Sequence, residues 1–235
     1  MTTTVNNKSE VVQSGTTISI DAMGGDLGPA AIVAGLVRVA QKNKRIHFLL
    51  HGQEEQLRKL VAKRRSLKGR VTIIDSVEVI KMEDKPSHVV RHGKATSMWS
   101  AIDSVRDGDA SVCVSCGNTG ALMAISMVRL RKLNGVNRPA IAILWPSSNP
   151  MGFNVMLDVG ADVRADPKDL LQYALMGVSY ARNGLGIAKP RVGLLNVGTE
   201  EHKGRSELKE ALSLIHISEP TRLLSISYAV FCVKK

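Results

Sequence analysis

From residue 17 onward the chain alternates between short apolar or every-other-residue runs and longer stretches with apolar residues at helical spacing. Thr17-Ile-Ser-Ile-Asp21 alternates and predicts a first strand. Gly28-Pro29 opens an apolar helix to about Gln41, with the proline suited to the first turn. Ile46 to Leu50 predicts a second strand, Gln53 to Lys63 a second helix and Val71 to Asp75 a third strand. The polar stretch from Met82 to Lys94 reads as a loop and short helix carrying Lys85, Arg91 and Lys94. A helix from Ala95 to Arg106 leads to a strand at Ala110 to Val114. After an apolar helix over 121–133, Asn134-Gly135 stops the chain, and strands follow at 139–144 and 153–158. Asp166-Pro167 is a cap and first-turn proline, opening a helix to about Arg182 before a strand at Arg191 to Asn196.

Strands and helices alternating on short connections imply an α/β fold: three αβα layers around a mostly parallel, Rossmann-like sheet. The expected organisation is a disordered polar leader over 1–16, one α/β domain over 17–212 and a separate tail over 213–235. In an open parallel sheet, ligands bind beyond the carboxyl ends of the strands. Four polar, glycine-bearing loops fall there: Asp21 to Asp26, Ser115 to Gly120, Asp158 to Asp162 and Asn196 to Gly204. The second is the centre of the pattern. Gly117 and Gly120 let its backbone approach a ligand closely. Asn118 or Thr119 can cap the following helix and leave its first N–H groups for an anion.

Bulk properties narrow the function. The 235 residues are 44% hydrophobic but only 3% aromatic, so the core must be built from aliphatic side chains. No apolar run approaches the roughly 20 residues of a membrane-spanning helix, and Met1 to Gly15 lacks the apolar centre of a secretory signal. The net charge of +11 admits several partners. Scattered basic residues with few aromatics argue against nucleic acid. An anionic membrane could meet Lys59 to Arg65, and an acidic protein or phosphate-bearing substrate could be steered in. A solvated basic face is the plain alternative. Cys113 and Cys116 have the spacing of a redox or metal pair, but no second pair follows. The six histidines lack zinc spacing, so no metal site is expected.

Five stretches carry a likeness to a known family. They are Ile20-Asp-Ala-Met-Gly-Gly-Asp26, Cys116-Gly-Asn-Thr-Gly-Ala-Leu-Met123, Asn137-Arg-Pro-Ala140, Leu157-Asp-Val-Gly-Ala161, and Gly193-Leu-Leu-Asn-Val-Gly-Thr-Glu200 with Lys203-Gly204. In this order they resemble the bacterial phosphate acyltransferases of fatty acid and phospholipid synthesis, over about Thr17 to Ala211. The resemblance implies transfer of a fatty acyl group from acyl carrier protein to inorganic phosphate, giving acyl phosphate. It implies a cytoplasmic homodimer, a peripheral contact with the membrane or a membrane acyltransferase, and no nucleotide, metal or organic cofactor.

The resemblance makes Lys203 the main catalytic residue, with Asn118, Thr119 and Asn196 as hydrogen-bonding partners. Asp21, Gly24, Gly25, Gly117, Gly120, Asp158 and Glu200 complete the expected substrate-binding set. Plainer roles stand beside these. Asp21 and Asp158 can instead pin their loops, Gly24 and Gly25 can serve only a tight turn, and Lys203 alone would read as a surface lysine. His202 reads as a solvent-facing loop residue, and Cys116 stands where the family usually has a small residue. Rival readings are a short-chain enzyme using coenzyme A thioesters and a non-catalytic module binding acyl carrier protein. A nicotinamide dehydrogenase fits less well, because Met-Gly-Gly-Asp replaces the G-x-G-x-x-G turn after the first strand.

From Ser213 the likeness ends, and the last 23 residues have the look of a read-through translation. The family carries further strands, a later loop of the site and much of a dimer helix pair. Expressed as written, the chain is expected to be insoluble or inactive.

Overall fold

Ile18 and Ile20 point to one face of the first strand and Ser19 and Asp21 to the other, and that division organises the first half of the molecule. The computed structural model describes residues 15–159, 165–196, 206–218, 226–227 and 231–234. They fall into two compact units, one up to Arg131 and one from Lys132.

The first unit holds a parallel sheet of β1 (Thr17–Asp21), β2 (His47–Gly52), β3 (Val71–Asp75) and β4 (Val112–Ser115), in the order β3-β2-β1-β4. The register sets Ile20 beside Leu50 and Val114. On one face, Val33, Leu36 and Ala40 of α1 (Gly28–Lys42) and Leu57 of α2 (Glu54–Ala62) pack on Ile20, Phe48 and Leu50. Each buried valine, leucine, isoleucine or phenylalanine among these stabilises the fold by about 1.5–3 kcal/mol. On the other face lies α4 (Ser97–Arg106), with α3 (Pro86–His92) and α5 (Thr119–Arg129) beside it. Val89, Met98, Trp99, Ile102, Ala121 and Ile125 form their shared core. Thr96 caps α4 by accepting from the Trp99 N–H at 3.4 Å.

The sheet positions under α4 are polar and still buried. Ser19 and His51 are 0% exposed and Asp21 is 2% exposed. Helix α5 also starts two residues before the expected Ala121 and stops at Arg129, short of the expected 133. Arg131 takes a left-handed φ of 64° there, which cannot continue a helix.

The second unit differs from the expected parallel order. β5 (Ala142–Pro146) and β6 (Phe153–Leu157) pair antiparallel, and the sheet runs β5-β6-β10-β7, with β7 at Arg191–Gly193 and β10 at Phe231–Lys234. The six residues between β5 and β6 are too few for a parallel crossover. Asn149 builds the turn instead: its side chain donates to Phe153 O at 2.7 Å and accepts from Met151 N at 2.9 Å. Across the unit, α6 (Pro167–Leu185) and α7 (Ser206–Ser218) bring Tyr173, Ala174, Val178, Ala211 and Ile215 onto Val155, Leu157 and Val192. The expected cap of α6 is a full capping box between Asp166 and Asp169, and the helix ends on Gly186 at φ 67°. A short parallel pair, β8 (Leu195–Asn196) and β9 (Ile226–Ser227), completes the described strands. Helix α7 runs through position 213, where the sequence suggested a boundary. No described helix is long and apolar enough to cross a membrane.

Candidate functional site

Asp21 ends β1 and ties together everything around it. Its Oδ1 accepts from the N–H groups of Met23 and Gly24, both at 3.2 Å, and from Ser97 Oγ at 2.6 Å. Oδ2 accepts from Ser115 Oγ at 2.7 Å, and that hydroxyl in turn accepts from Gly117 N at 3.0 Å. One buried carboxylate thus fixes the loop after β1, the loop after β4 and the first residue of α4. Charge-assisted bonds of this kind are about twice as strong as neutral ones.

The two loops meet backbone to backbone. A Cβ on Gly24 would lie 2.6 Å from Asp21 Oδ2 and 2.8 Å from Gly117 N, so no side chain fits there. Gly25 follows at φ +96°, a conformation that other residues rarely adopt.

Asn118 caps α5. Its Oδ1 accepts from Ala121 N at 3.0 Å, and its Nδ2 lies within bonding distance of the carbonyls of Lys81, Met82 and Asp84, at 3.2, 2.9 and 2.9 Å. The side chain is 7% exposed and engaged at both ends. Leu122 N bonds to Asn118 O. Among the described residues, the N–H groups of Thr119 and Gly120 meet no protein acceptor. A helix start of this kind, with two directed N–H groups, attracts an anion.

Beneath this corner lies a polar cluster that sequence reasoning missed. His51 Nδ1 is 2.8 Å from Ser100 Oγ, and Nε2 is 3.0 Å from Ser19 Oγ and 3.4 Å from Ser104 Oγ. Ser19 gives its one hydroxyl hydrogen to Ala101 O at 2.8 Å. It therefore accepts from His51, which assigns the proton to Nε2 and makes Nδ1 the acceptor from Ser100. Burial pushes the His51 pKa from 6.5 down to about 4, against the opposing pull of the Asp21 charge. The imidazole is neutral at pH 7. The available signal was a histidine at the end of a strand with serines at 97, 100 and 104 on one helix, but it carries no motif.

The remaining expected residues divide by unit. Asp158 follows β6 in the second unit, at φ 61°, with its N–H donating to Ile141 O at 2.7 Å. Asn196 ends β8. Glu200 and Lys203, with His202, lie outside the described residues. The structure therefore brings together Asp21, Gly24, Gly25, Gly117, Asn118, Thr119 and Gly120.

Cys113 is half-buried, and burial with the nearby Asp21 charge pushes its thiol up to about 12, so it is no nucleophile at neutral pH. Cys116 is exposed. Among the described residues no group of three or more His, Cys, Asp or Glu is placed to hold a metal ion.

The parallel sheet, with the glycine-bearing corner beyond its strands, is an α/β fold also seen in solved phosphotransacylases. The chain shares its fold with a phosphotransacetylase from Streptococcus pyogenes, at TM-score 0.65 and 18% identity, covering 90% of this chain and 68% of that one. A branched-chain phosphotransacylase from Enterococcus faecalis V583 matches at TM-score 0.55 and 15% identity, covering 91% and 67%. Residues 16–226 match the model of the fatty acid synthesis protein family, and the chain belongs to that family. It is 72% identical over 200 residues to a phosphate acyltransferase of Ruegeria sp. (strain TM1040), covering 85% of this chain and 53% of that protein. It is 69% identical over 207 residues to a phosphate acyltransferase of Dinoroseobacter shibae, covering 88% and 54%. The chain spans about half the length of these relatives.

Proposed function

We propose that the protein transfers a fatty acyl group reversibly from acyl carrier protein to inorganic phosphate, forming acyl phosphate for phospholipid biosynthesis. The observation that carries this reading is the pair of N–H groups of Thr119 and Gly120 at the start of α5, held in place by Asp21. The name borne by the relatives, phosphate acyltransferase, supports the same chemistry.

A phosphate oxygen attacks the thioester carbonyl carbon, a C–O bond forms, the carbonyl oxygen takes up negative charge, and the C–S bond then breaks. The departing sulfur leaves as thiolate and takes a proton. Phosphate is already a competent nucleophile, so no acyl-enzyme and no cofactor are required; holding the anion in line with the carbonyl is the main task. In this reading the N–H groups of Thr119 and Gly120 face the anion, Gly117 shapes the loop through its bond to Ser115, and Lys203 supplies positive charge to phosphate or to the developing oxyanion. Asn196, Glu200 and Asp158 contribute from the other two loops, and Asp21, Gly24, Gly25 and Asn118 hold the first two in shape. The working protein is a cytoplasmic homodimer with peripheral membrane contact.

Acyl-phosphate formation from phosphate and acyl carrier protein thioester, measured on the protein at its relatives' full length, is the direct test. Lys203→Ala should reduce turnover by a hundredfold or more, the scale of losing an oxyanion partner, with an unchanged circular dichroism spectrum. Near-normal turnover would remove Lys203 from the mechanism. Faster transfer from coenzyme A thioesters would favour the short-chain enzyme instead, and carrier-protein binding without turnover would favour a binding module.

A further inference from the structure

The segment from Lys81 to Lys94 has no part in the chemistry above, yet it is attached directly to the anion corner. The Asn118 side-chain NH2 lies within bonding distance of the carbonyls of Lys81, Met82 and Asp84, and a Cβ on Gly120 would lie 2.9 Å from Pro86 Cγ at the start of α3. The connection from β3 delivers α3 to the strand-end edge of the sheet, where the Asp21 and Gly117 loops also lie.

The outer surface of this segment is basic. Lys85, His88, Arg91, His92 and Lys94 are all exposed, and no acidic residue occurs between Lys85 and Lys94. Lys85, Arg91 and Lys94 make no ion pair among the described residues. Glu83 and Asp84 precede the helix, Asp84 Oδ2 is turned onto Lys81 N at 2.8 Å, and Glu78 bridges to Thr96 just beyond Lys94 without an ion pair to it.

We propose that α3 with its flanks, through Lys85, Arg91 and Lys94, is the docking surface for an acidic carrier protein that presents its acyl thioester to the adjoining corner. The proposal rests on the functional reading given above, which supplies a protein-bound thioester as substrate. Charge complementarity sets the occupant: three unpaired cations beside the reaction corner match an acidic protein face and steer it in. A membrane is the poorer match. A helix that lies on lipid turns its apolar side outward, whereas α3 has seven residues and buries Val89 in the core at 3% exposure. Three basic residues elsewhere in the first unit provide a comparison. Lys44, Lys63 and Lys68 are exposed on connections that precede β2 and β3, at the opposite edge of the sheet.

The test is direct binding of acyl carrier protein to the chain, followed by isothermal titration in about 0.1 M salt, with no turnover required. The triple variant Lys85→Glu, Arg91→Glu, Lys94→Glu should weaken binding about tenfold or more, with the difference shrinking in high salt. Lys44→Glu, Lys63→Glu, Lys68→Glu carries the same charge change and should bind like the unaltered chain. The neutral triple alanine variant of α3 should fall between, and circular dichroism checks that each variant folds. Equal weakening by both reversal sets, no weakening by the α3 set, or no binding by the unaltered chain overturns the proposal. So does loss of binding to phosphatidylglycerol vesicles with carrier binding intact, which would make the patch a lipid surface. Failure of the acyl-transfer assay would instead strike the functional reading, because binding is read independently of it.

Discussion

Asp21 sits where a substrate ligand was expected and spends both carboxylate oxygens inside the protein. It is a clamp on two loops and a helix start, so its loss should be read first in stability. Asp21→Asn replaces one acceptor oxygen with a donor and removes the charge, which should cost about 2 kcal/mol in urea denaturation. Ser97→Ala, deleting one of its donors, should cost about 1 kcal/mol. Unchanged midpoints in both would refute the clamp. His51 makes a second prediction at this scale. Above pH 6.5 neither the folded nor the unfolded state holds the extra proton. Below it the unfolded chain takes a proton that the buried ring refuses, so stability falls as pH drops. The fall should level off near pH 4, where the folded ring also protonates, after a loss of up to about 3 kcal/mol. His51→Gln should flatten that part of the stability curve while leaving the slopes due to carboxylates. The candidacy of Asp21 was legible from its place at a strand end. So was the alternative that it pins its own loop; that it also holds the β4 loop and the start of α4 was not, because Ser97 and Ser115 lie 76 and 94 positions away in sequence.

At the scale of elements, the same residue type plays opposite parts in two places. Gly24 stands in a loop with a neighbouring backbone 2.8 Å from where a Cβ would be, whereas Gly35 lies within α1 with nothing within 4 Å. Gly24→Ala must push the β1 and β4 loops apart and should destabilise by about 1–3 kcal/mol. Gly35→Ala should stabilise by about 0.5–1 kcal/mol, since glycine in a helix interior costs that much relative to alanine. Denaturant midpoints moving in the same direction would contradict the loop contact. Element positions were largely legible, because β1, β2, β3, α1 and α6 announce themselves through alternation, helical spacing and caps. The direction of pairing in the second unit was not. The stretch from Trp145 to Gly152 reads as turn-rich in the sequence, but the hairpin depends on Asn149 bonding to Phe153 and Asn154.

On the scale of the whole molecule, the two units have separate apolar cores, and the two tryptophans report on them unequally. Trp99 is 4% exposed between α4 and α5, where Arg129 lies over its ring at 5.5 Å. Trp145 is 52% exposed on β5. The red shift of tryptophan fluorescence on denaturation should therefore come from Trp99 and follow the first unit. Trp145→Phe should leave the midpoint and most of the shift intact, and Trp99→Phe should abolish the shift. A transition carried by Trp145 would contradict the assignment of its surroundings.

The sequence by itself determined the α/β class, the order of most elements, the family likeness and the glycine-bearing loop at Ser115 to Gly120 between a strand and a helix. These are local properties: period-2 and period-3.6 patterning, proline and asparagine caps, and glycines at a turn all act within a few neighbouring residues. Tertiary structure alone decided that Asp21 joins two loops and a helix, that His51 is a buried neutral ring among serines, and that the basic run at 85–94 flanks the corner. Each depends on residues far apart in sequence meeting under α4 or beside α5. Such contacts are fixed by the packing of whole helices on the sheet, so no local pattern records them.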